Sequence, residues 1–335
     1  MLVSVIIVNY KSSHYIMDCL ASAEASLIAN KDIEWIVVDN HSGDESRQLI
    51  TGAYPFVHWL EMDYNAGFAR ANNAGIKLAK GEAVLLLNPD TLLLSSAIEK
   101  TVHQFLSSNH IACGVQLVHA DRSPQFSGSY FVKGGLNHIL TVPYWGRSLK
   151  FISSFFKTNK PSIVKATTEQ IVDWISGAFL MVKKSAIDKA GLMDEDFFLY
   201  GEEVEWCSRL KKQGSLCLYG DIQIIHLIGG TIQEATNAAD NSYTNMSDLK
   251  GFQLMVSNHV RIRKQYGIFW FLIQLLNYSW GVPYALVASF LNGILHFRNP
   301  FKEFRDIAGF AKNVLKLWSL TPTIIKGKPH FYKCI

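Results

Sequence analysis

The feature that most constrains this 335-residue chain is an alternation confined to its first third, where short apolar runs are each followed by a helical pattern. "VSVIIVN" (3–9) is apolar at successive positions, as a strand covered on both faces must be. A helix follows, with Ser12 or Ser13 as its cap and Ile16, Leu20, Ala23 and Leu27 on one face. "IEWIVVDN", "FVHWLEM" and "AVLLLNPD" repeat the strand pattern, separated by the helical "SGDESRQLI", opened by Ser42 or Asp44, and "GFARANNAGIKLA". This β-α order predicts a mostly parallel, doubly wound sheet. Such sheets bind ligands at the carboxyl ends of their strands. Here those ends carry Asn9, Asp39 with Asn40, and Asn88 with Asp90, so the pattern predicts a polar crevice along one edge.

One strand carries an acid in an otherwise apolar stretch, "LLLNPDTLLL" (85–94). Burying an isolated carboxylate costs several kcal/mol unless it is paired or binds a cation. Proline cannot donate to a sheet ladder, so Pro89 implies that the strand ends at Leu87 and that "NPD" leaves the sheet at the crevice.

Composition narrows the field. At 49% hydrophobic and 18% charged, the chain can build one large domain, or two with an appendage. A net charge of +4 without a long Lys/Arg block argues against nucleic acid as a partner. Five scattered cysteines with no C-x-x-C pair suggest neither a disulfide framework nor a zinc knuckle, and fit a reducing cytosol. The N-terminal apolar run is too short for a signal peptide and has no basic stretch before it. The absence of a G-x-x-x-x-G-K-[ST] loop and of G-x-G-x-x-G after the first strand argues against ATP hydrolysis and hydride transfer.

Three sections follow from these patterns: 1–115, an α/β half; 116–240, a less regular second half of the same domain; and 241–335, an apolar helical section. The span 123–168 reads as loops, after which "SAIDKAG" reads as a helix ending at Gly191 and "GEEVEWCSRLKKQG" as an amphipathic helix. Residues 265–297 contain no Asp, Glu, Lys or Arg and are flanked by Arg261, Arg263, Lys264, Arg298 and Lys302. About 20 apolar residues span a bilayer, but Gln274, Asn277, Gly281, Pro283 and Asn292 interrupt this stretch. It suits interfacial or re-entrant helices as well as a crossing, or an apolar face docked on the main domain or a partner subunit.

Acids gather at element ends: Asp39, Asp90, and the pair Glu202 and Glu203 opening a helix after "DEDFFLYG". Carboxylate and carbonyl oxygens are what Mg²⁺ and Mn²⁺ prefer, and such ions take up substrate phosphates. Each acid alone also suits a cap or a solvated turn. Together they fit a metal–diphosphate site.

"VSVIIVNYKSS", "WIVVDNHSGDES", "NAGFARANNAGI", "VLLLNPDTLL", "DWISGAFLMVKKSAID" and "GLMDEDFFLYGEEVEWCSRLKKQG" resemble, in order and spacing, glycosyltransferase family 2 over about residues 3–231. The subgroup resembled is the rhamnosyltransferase-like enzymes of bacterial surface-polysaccharide and O-antigen synthesis. The resemblance implies a GT-A fold, a nucleotide-diphosphate sugar donor, Mg²⁺ or Mn²⁺, and inversion at the anomeric carbon. It assigns Asn9 and Tyr10 to the nucleotide pocket, Asp39 to the base, Asp90 to the metal, and Asn88 to the ribose or an ion-bound water. Asn88 stands where the family's D-x-D motif has its first acid.

The family's "ED" pair, which supplies the base for the acceptor hydroxyl, is here Glu202–Glu203. Glu203 is the expected base, with Glu202 or Glu205 as alternatives, because Glu extends one methylene beyond Asp. These glutamates equally suit the first turn of a helix. His226, in "IIHLIGGT", stands where a family histidine reaches the metal or diphosphate, and a structural histidine is the other reading. Trp174, Ser176 and Gly177 match the segment that shapes the sugar and acceptor pocket, with Trp174 either a stacking face or core.

The chain is thus expected to be an inverting glycosyltransferase at the cytoplasmic face of the inner membrane, acting on a lipid-linked or growing glycan. Rhamnose is the sugar favoured by the resemblance. A sugar-phosphate nucleotidyltransferase and a non-catalytic scaffold in a polysaccharide-assembly complex are the alternatives.

Overall fold

The computed structural model describes residues 2–23, 31–131, 142, 144–146, 148–149, 151, 163, 165–227, 246–296, 299 and 303–335. In chain order the strands are β1 (Val3–Asn9), β2 (Ile33–Asp39), β3 (His58–Glu61), β4 (Ala83–Leu87), β5 (Thr91–Leu93), β6 (Ala112–Val118), β7 (Gly128–Ser129), β8 (Glu169–Val172), β9 (Trp174–Ile175), β10 (Phe179–Lys183) and β11 (Leu216–His226). The helices are α1 (Ser13–Ala21), α2 (Ser46–Ala53), α3 (Gly67–Leu78), α4 (Ala97–Leu106), α5 (Lys184–Ala190), α6 (Glu202–Leu210), α7 (Leu249–Tyr266), α8 (Ile268–Leu295) and α9 (Phe304–Lys326). Two compact units result. The first comprises Met1–Phe131, Ser162–Phe198 and Glu202–Asn241, and the second Val132–Pro161, Leu199–Gly201 and Ser242–Ile335.

In the first unit β3-β2-β1-β4 pair in parallel, as the β-α alternation predicts. Successive residues of these strands serve opposite faces: Val3, Val5 and Ile7 with Trp35 and Val37 enter one core, and Ile6 with Ile36 and Val38 the other. That is why both strands read as unbroken apolar runs. Beyond β4 the expected parallel pattern stops. β10 enters antiparallel between β4 and β6, and β11 runs parallel to β6 but antiparallel to β5 and β8. The sheet is therefore mixed, with a continuous parallel run on its N-terminal side and one further parallel pair, β6–β11, beyond it.

Two local expectations change. "NPD" does leave β4 after Leu87, but Thr91–Leu93 returns to the sheet as β5 against the end of β11, so Asp90 is 2% exposed rather than open to the crevice. Neither Ser42 nor Asp44 heads α2, which starts at Ser46; the Ser42 hydroxyl instead bonds Asp39. α5 does end at Gly191, in the left-handed region at φ 78°. Leu27, assigned by its spacing to α1, lies outside the described residues, as do most of 132–164 and all of 228–245.

The second unit contains α7, α8 and α9. α7 is capped by Asp248, whose carboxylate accepts from Gly251 N–H at 2.7 Å. The uncharged run becomes one helix, α8, with Pro283 inside it. No helix among the described residues is long and apolar enough to cross a membrane.

Candidate active site

The crevice begins where β1 and β2 end side by side, with Asn9 in register with Asp39. Both are buried. Asn9 Nδ2 donates to Asp39 Oδ1 at 2.7 Å, and the Ser42 hydroxyl donates to the same oxygen. Ser42 N–H donates to Asp39 Oδ2 at 3.0 Å, and Lys11 N–H to Ser42 Oγ at 2.9 Å. The Ser12 hydroxyl, at the cap position of α1, donates back to Asn9 Oδ1 at 3.0 Å. A carboxylate offers about four acceptor positions, and three are filled here, leaving one for an incoming N–H. Tyr10 sits half-buried beside this corner, and Lys11 Nζ lies 5.8 Å from its ring centroid.

A second corner forms at the end of β4. Asn88 N–H donates to Ala178 O at 3.1 Å, and Thr91 Oγ1 to Asn88 O at 2.8 Å. The β5–β11 pairing sets His226 opposite Thr91. His226 Nε2 then lies 3.5 Å from Asp90 Oδ1 and 3.4 Å from Asn88 Nδ2, so the three predicted residues converge. Asp90 Oδ1 is buried and makes no hydrogen bond.

The imidazole is oriented by a residue that the sequence did not signal. Gln125, buried between β6 and β7, directs its amide nitrogen at the His226 carbonyl oxygen and at His119 Nδ1, so its Oε1 must be the acceptor for His226 Nδ1, 3.1 Å away. A proton on Nδ1 leaves a lone pair on Nε2, the form that binds metals. The Gln125 backbone is fixed in turn, its N–H donating to Leu117 O and its carbonyl accepting from Gln116 Nε2.

A buried unpaired carboxylate oxygen and an imidazole lone pair facing one point suit a divalent ion such as Mn²⁺, with the Asn88 side chain beside them. No group of three or more His, Cys, Asp or Glu residues that could hold a metal occurs among the described residues. Asp90 and His226 would therefore share an ion with Asn88, with water and with the substrate's own oxygens.

The third group of predicted residues stands on the other side of Ala178. β9 carries Trp174, and Ser176 N–H donates to Ser127 O at 2.9 Å. Gly177 opens onto a niche: a methyl there would meet Phe68 at 3.6 Å and Glu203 Cβ at 3.7 Å. Asn88 and Glu203 thus flank one short segment, 176–178. The Trp174 ring is half-buried and lies 5.2 Å from that of Phe126, itself 44% exposed, so it belongs to an aromatic surface as well as to the core edge.

Glu202 and Glu203 open α6 as expected, but differ in burial. Glu202 is 3% exposed with Oε2 unpaired, and burial, then the neighbouring Glu203, pushes its carboxyl well above the usual range. Glu203 is half-buried. Glu205, the other alternative base, has both of its oxygens held by Arg209, the shortest contacts being 2.8 Å.

The run leading to α6 is held by α3, another contribution the sequence reading did not assign. Asn73 exchanges hydrogen bonds with the Met193 backbone, both at 2.9 Å, and Arg70 Nε donates to Glu195 O at 3.0 Å. Gly67 has φ 76°, and a methyl there would come within 2.3 Å of Phe198 O, so only glycine allows Phe68 N–H to bond that carbonyl. The signal was present as adjacent asparagines on a helical face, both of them buried here.

A half-parallel, half-mixed sheet with polar corners at the mouths of β1–β2 and of β4 is an α/β architecture of the GT-A type. Residues 4–168 match the family described as glycosyl transferase family 2. The chain is 27% identical, over 77% of its length and 76% of the relative's, to a protein named low-salt glycan biosynthesis hexosyltransferase Agl10 of Haloferax volcanii. It is 28% identical to N-acetylglucosaminyl-diphospho-decaprenol L-rhamnosyltransferase of Mycobacterium tuberculosis, over 64% of this chain and 72% of that one. It is 24% identical to rhamnosyltransferase WbbL of Escherichia coli K12, over 64% and 78%. A crystal structure of GalNAc-T7 with UDP, GalNAc and Mn²⁺ shares the fold at a TM-score of 0.54 and 13% identity, over 99% of this chain and 58% of that one. The family match spans just under half of the chain; with these relatives it makes the protein a glycosyltransferase that resembles glycosyl transferase family 2 and its rhamnosyltransferase-like members. These matches favour a glycosyltransferase over the nucleotidyltransferase alternative.

Proposed function

We propose that the protein transfers a hexose, rhamnose foremost, from a nucleoside-diphosphate sugar to a hydroxyl of a lipid-linked or growing glycan, inverting the anomeric carbon. The observation that carries this reading is the unpaired, buried Asp90 Oδ1 beside His226 Nε2, with Glu203 across the 176–178 segment. In the reaction the acceptor oxygen bonds to the anomeric carbon, the bond to the diphosphate breaks on the opposite face, and the hydroxyl proton passes to a carboxylate. Glu203 is the proposed base, because it is half-buried while Glu202 is enclosed and Glu205 is held by Arg209. A Mg²⁺ or Mn²⁺ ion held by Asp90 and His226 would offset the charge that develops on the leaving diphosphate. Asn9 and Tyr10 line the proposed nucleotide pocket, where the remaining acceptor position of Asp39 suits a base N–H. Asn88 would meet the ribose or an ion-bound water, and Trp174, Ser176 and Gly177 the sugar and acceptor.

The relatives' names support a rhamnosyl donor and, in the mycobacterial case, a polyprenyl-diphosphate acceptor. The proposed location is the cytoplasmic face of the inner membrane, and free cysteines are consistent with a reducing compartment. The test is transfer from a panel of nucleotide sugars with Mn²⁺, read with Glu203→Gln and Glu202→Gln. We expect dTDP-rhamnose to be used and Glu203→Gln to slow transfer by about 10²–10⁴-fold with donor binding intact. Near-normal transfer by Glu203→Gln would remove it as the base. Neither transfer nor donor hydrolysis with any sugar would make the chain a scaffold.

A further inference from the structure

The α8 helix in the second unit is inside out. Phe269, Leu276, Trp280, Val287, Leu291 and Leu295 recur at intervals of 7, 4, 7, 4 and 4, which puts them on one face of a helix, and each is 51% exposed or more. The opposite face buries Gln274, Asn277 and Gly281 together with Phe271 and Tyr278. A helix packed on a water-soluble surface shows the reverse order, apolar in and polar out. Of the five residues that interrupt the sequence run, Gln274, Asn277 and Gly281 are thus buried, while Pro283 and Asn292 are exposed.

Charge points to the occupant. Residues 246–335 hold twelve Lys and Arg against three Asp and Glu, whereas residues 1–245 hold 20 against 25, so all of the chain's positive excess is in this section. On α9 the exposed Lys312, Lys316 and Lys326 accompany exposed Leu315 and Trp318. The Trp318 indole N–H donates to Ser279 Oγ of α8 at 2.9 Å, which leaves its apolar ring edge outward. Large apolar side chains with an aromatic component, set among lysines, match an interface between acyl chains and anionic headgroups.

We propose that the outer face of α8 lies flat in the surface of an anionic bilayer, with the α9 lysines at the headgroups and no segment of α8 crossing. This deepens the reading of a membrane-bound acceptor and rests on it for its purpose, though not for its test. The full-length protein is pelleted with vesicles of phosphatidylethanolamine and phosphatidylglycerol, and with phosphatidylcholine alone, without any sugar donor present.

Wild type is expected to bind the anionic vesicles, more weakly as salt rises, and to bind neutral vesicles poorly. Trp280→Glu with Val287→Glu is expected to weaken binding by about tenfold or more, with an unchanged melting temperature, because both side chains are already exposed. A double variant that pellets like wild type overturns the proposal. So does equal binding to both vesicle types, or a lipid-free dimer that Trp280→Glu dissolves, since a second copy would then cover the face. Transfer to a soluble acceptor analogue separates the two readings. Wild type that transfers but binds no vesicles sinks the docking surface alone, and wild type that binds vesicles but neither transfers nor hydrolyses any donor sinks the enzymatic reading alone.

Discussion

Two acids close neighbouring parts of the same sheet, and they are treated oppositely. Asp39 at the end of β2 accepts from Asn9, the Ser42 hydroxyl and Ser42 N–H. Asp90, just past β4, is buried as deeply but leaves Oδ1 without a hydrogen bond, facing an imidazole lone pair. A buried charge costs several kcal/mol unless compensated. The first corner compensates its charge within the protein. The second does not, which is what a site completed by a cation requires. Difference in satisfaction, more than difference in position, separates the self-satisfied corner from the one proposed to hold a cation.

The largest expected effect breaks this contrast at both corners with one chemical change. Asp90→Asn should lower transfer by roughly 10²–10³-fold and weaken Mn²⁺ binding, while leaving the melting temperature equal or higher. The new amide N–H can donate to His226 Nε2, and a buried charge is gone. Asp39→Asn should do the reverse to stability, because an amide nitrogen would confront the Asn9, Ser42 Oγ or Ser42 N–H donors. The expected cost is about 1–3 kcal/mol, read by urea unfolding. Equal destabilisation by both variants would contradict the distinction.

The second effect sharpens the reactive corner through Gln125, a positioning residue with no contact to Asp90 of its own. Gln125→Leu removes the acceptor for His226 Nδ1–H, and Mn²⁺ affinity of the metal-free protein should fall about 10–100-fold. Gln125→Glu keeps an acceptor for that proton and should restore much of the affinity. A merely structural role for Gln125 would predict loss in both variants.

The corners differed in how far sequence revealed them. Asn9, Asp39, Asn88 and Asp90 were legible because each interrupts or ends a run whose period is that of a covered strand. The β-α alternation makes these strands parallel, and the α/β rule then fixes the end at which ligands bind. The pairing of β5 with β11 was not legible: Thr91–Leu93 is three residues long, and its partner lies more than 130 residues away, so no local period records the contact. That pairing is what brings His226 to Asp90 and what buries the acid. Gln125 was hidden for the same reason, lying in a stretch without periodicity. The mixed half of the sheet was missed because a short apolar run such as β10 reads the same in either direction. On α8 the composition was read correctly as interrupted, but which face each interruption occupies became visible only from burial.

The smallest effect concerns a third buried acid, Glu202, and asks whether lack of satisfaction alone marks a reactive group. Glu202 Oε2 is as unpaired as Asp90 Oδ1, yet its neighbour is a carboxylate and not an imidazole. Its folded-state pKa is raised above the unfolded value near 4.5, by burial first and Glu203 second. The folded state therefore holds this proton more tightly than the unfolded chain. The linked stability is fully present below pH 4.5 and is lost as pH rises through the folded-state value. Glu202→Gln mimics the protonated form, so it should unfold at higher denaturant than wild type at pH 8 and show a smaller decline between pH 5 and pH 8. An unchanged pH slope would mean that Glu202 is ionised at no cost. Its unpaired oxygen would then need a partner supplied by substrate, which would return Glu202 to contention with Glu203 as the base.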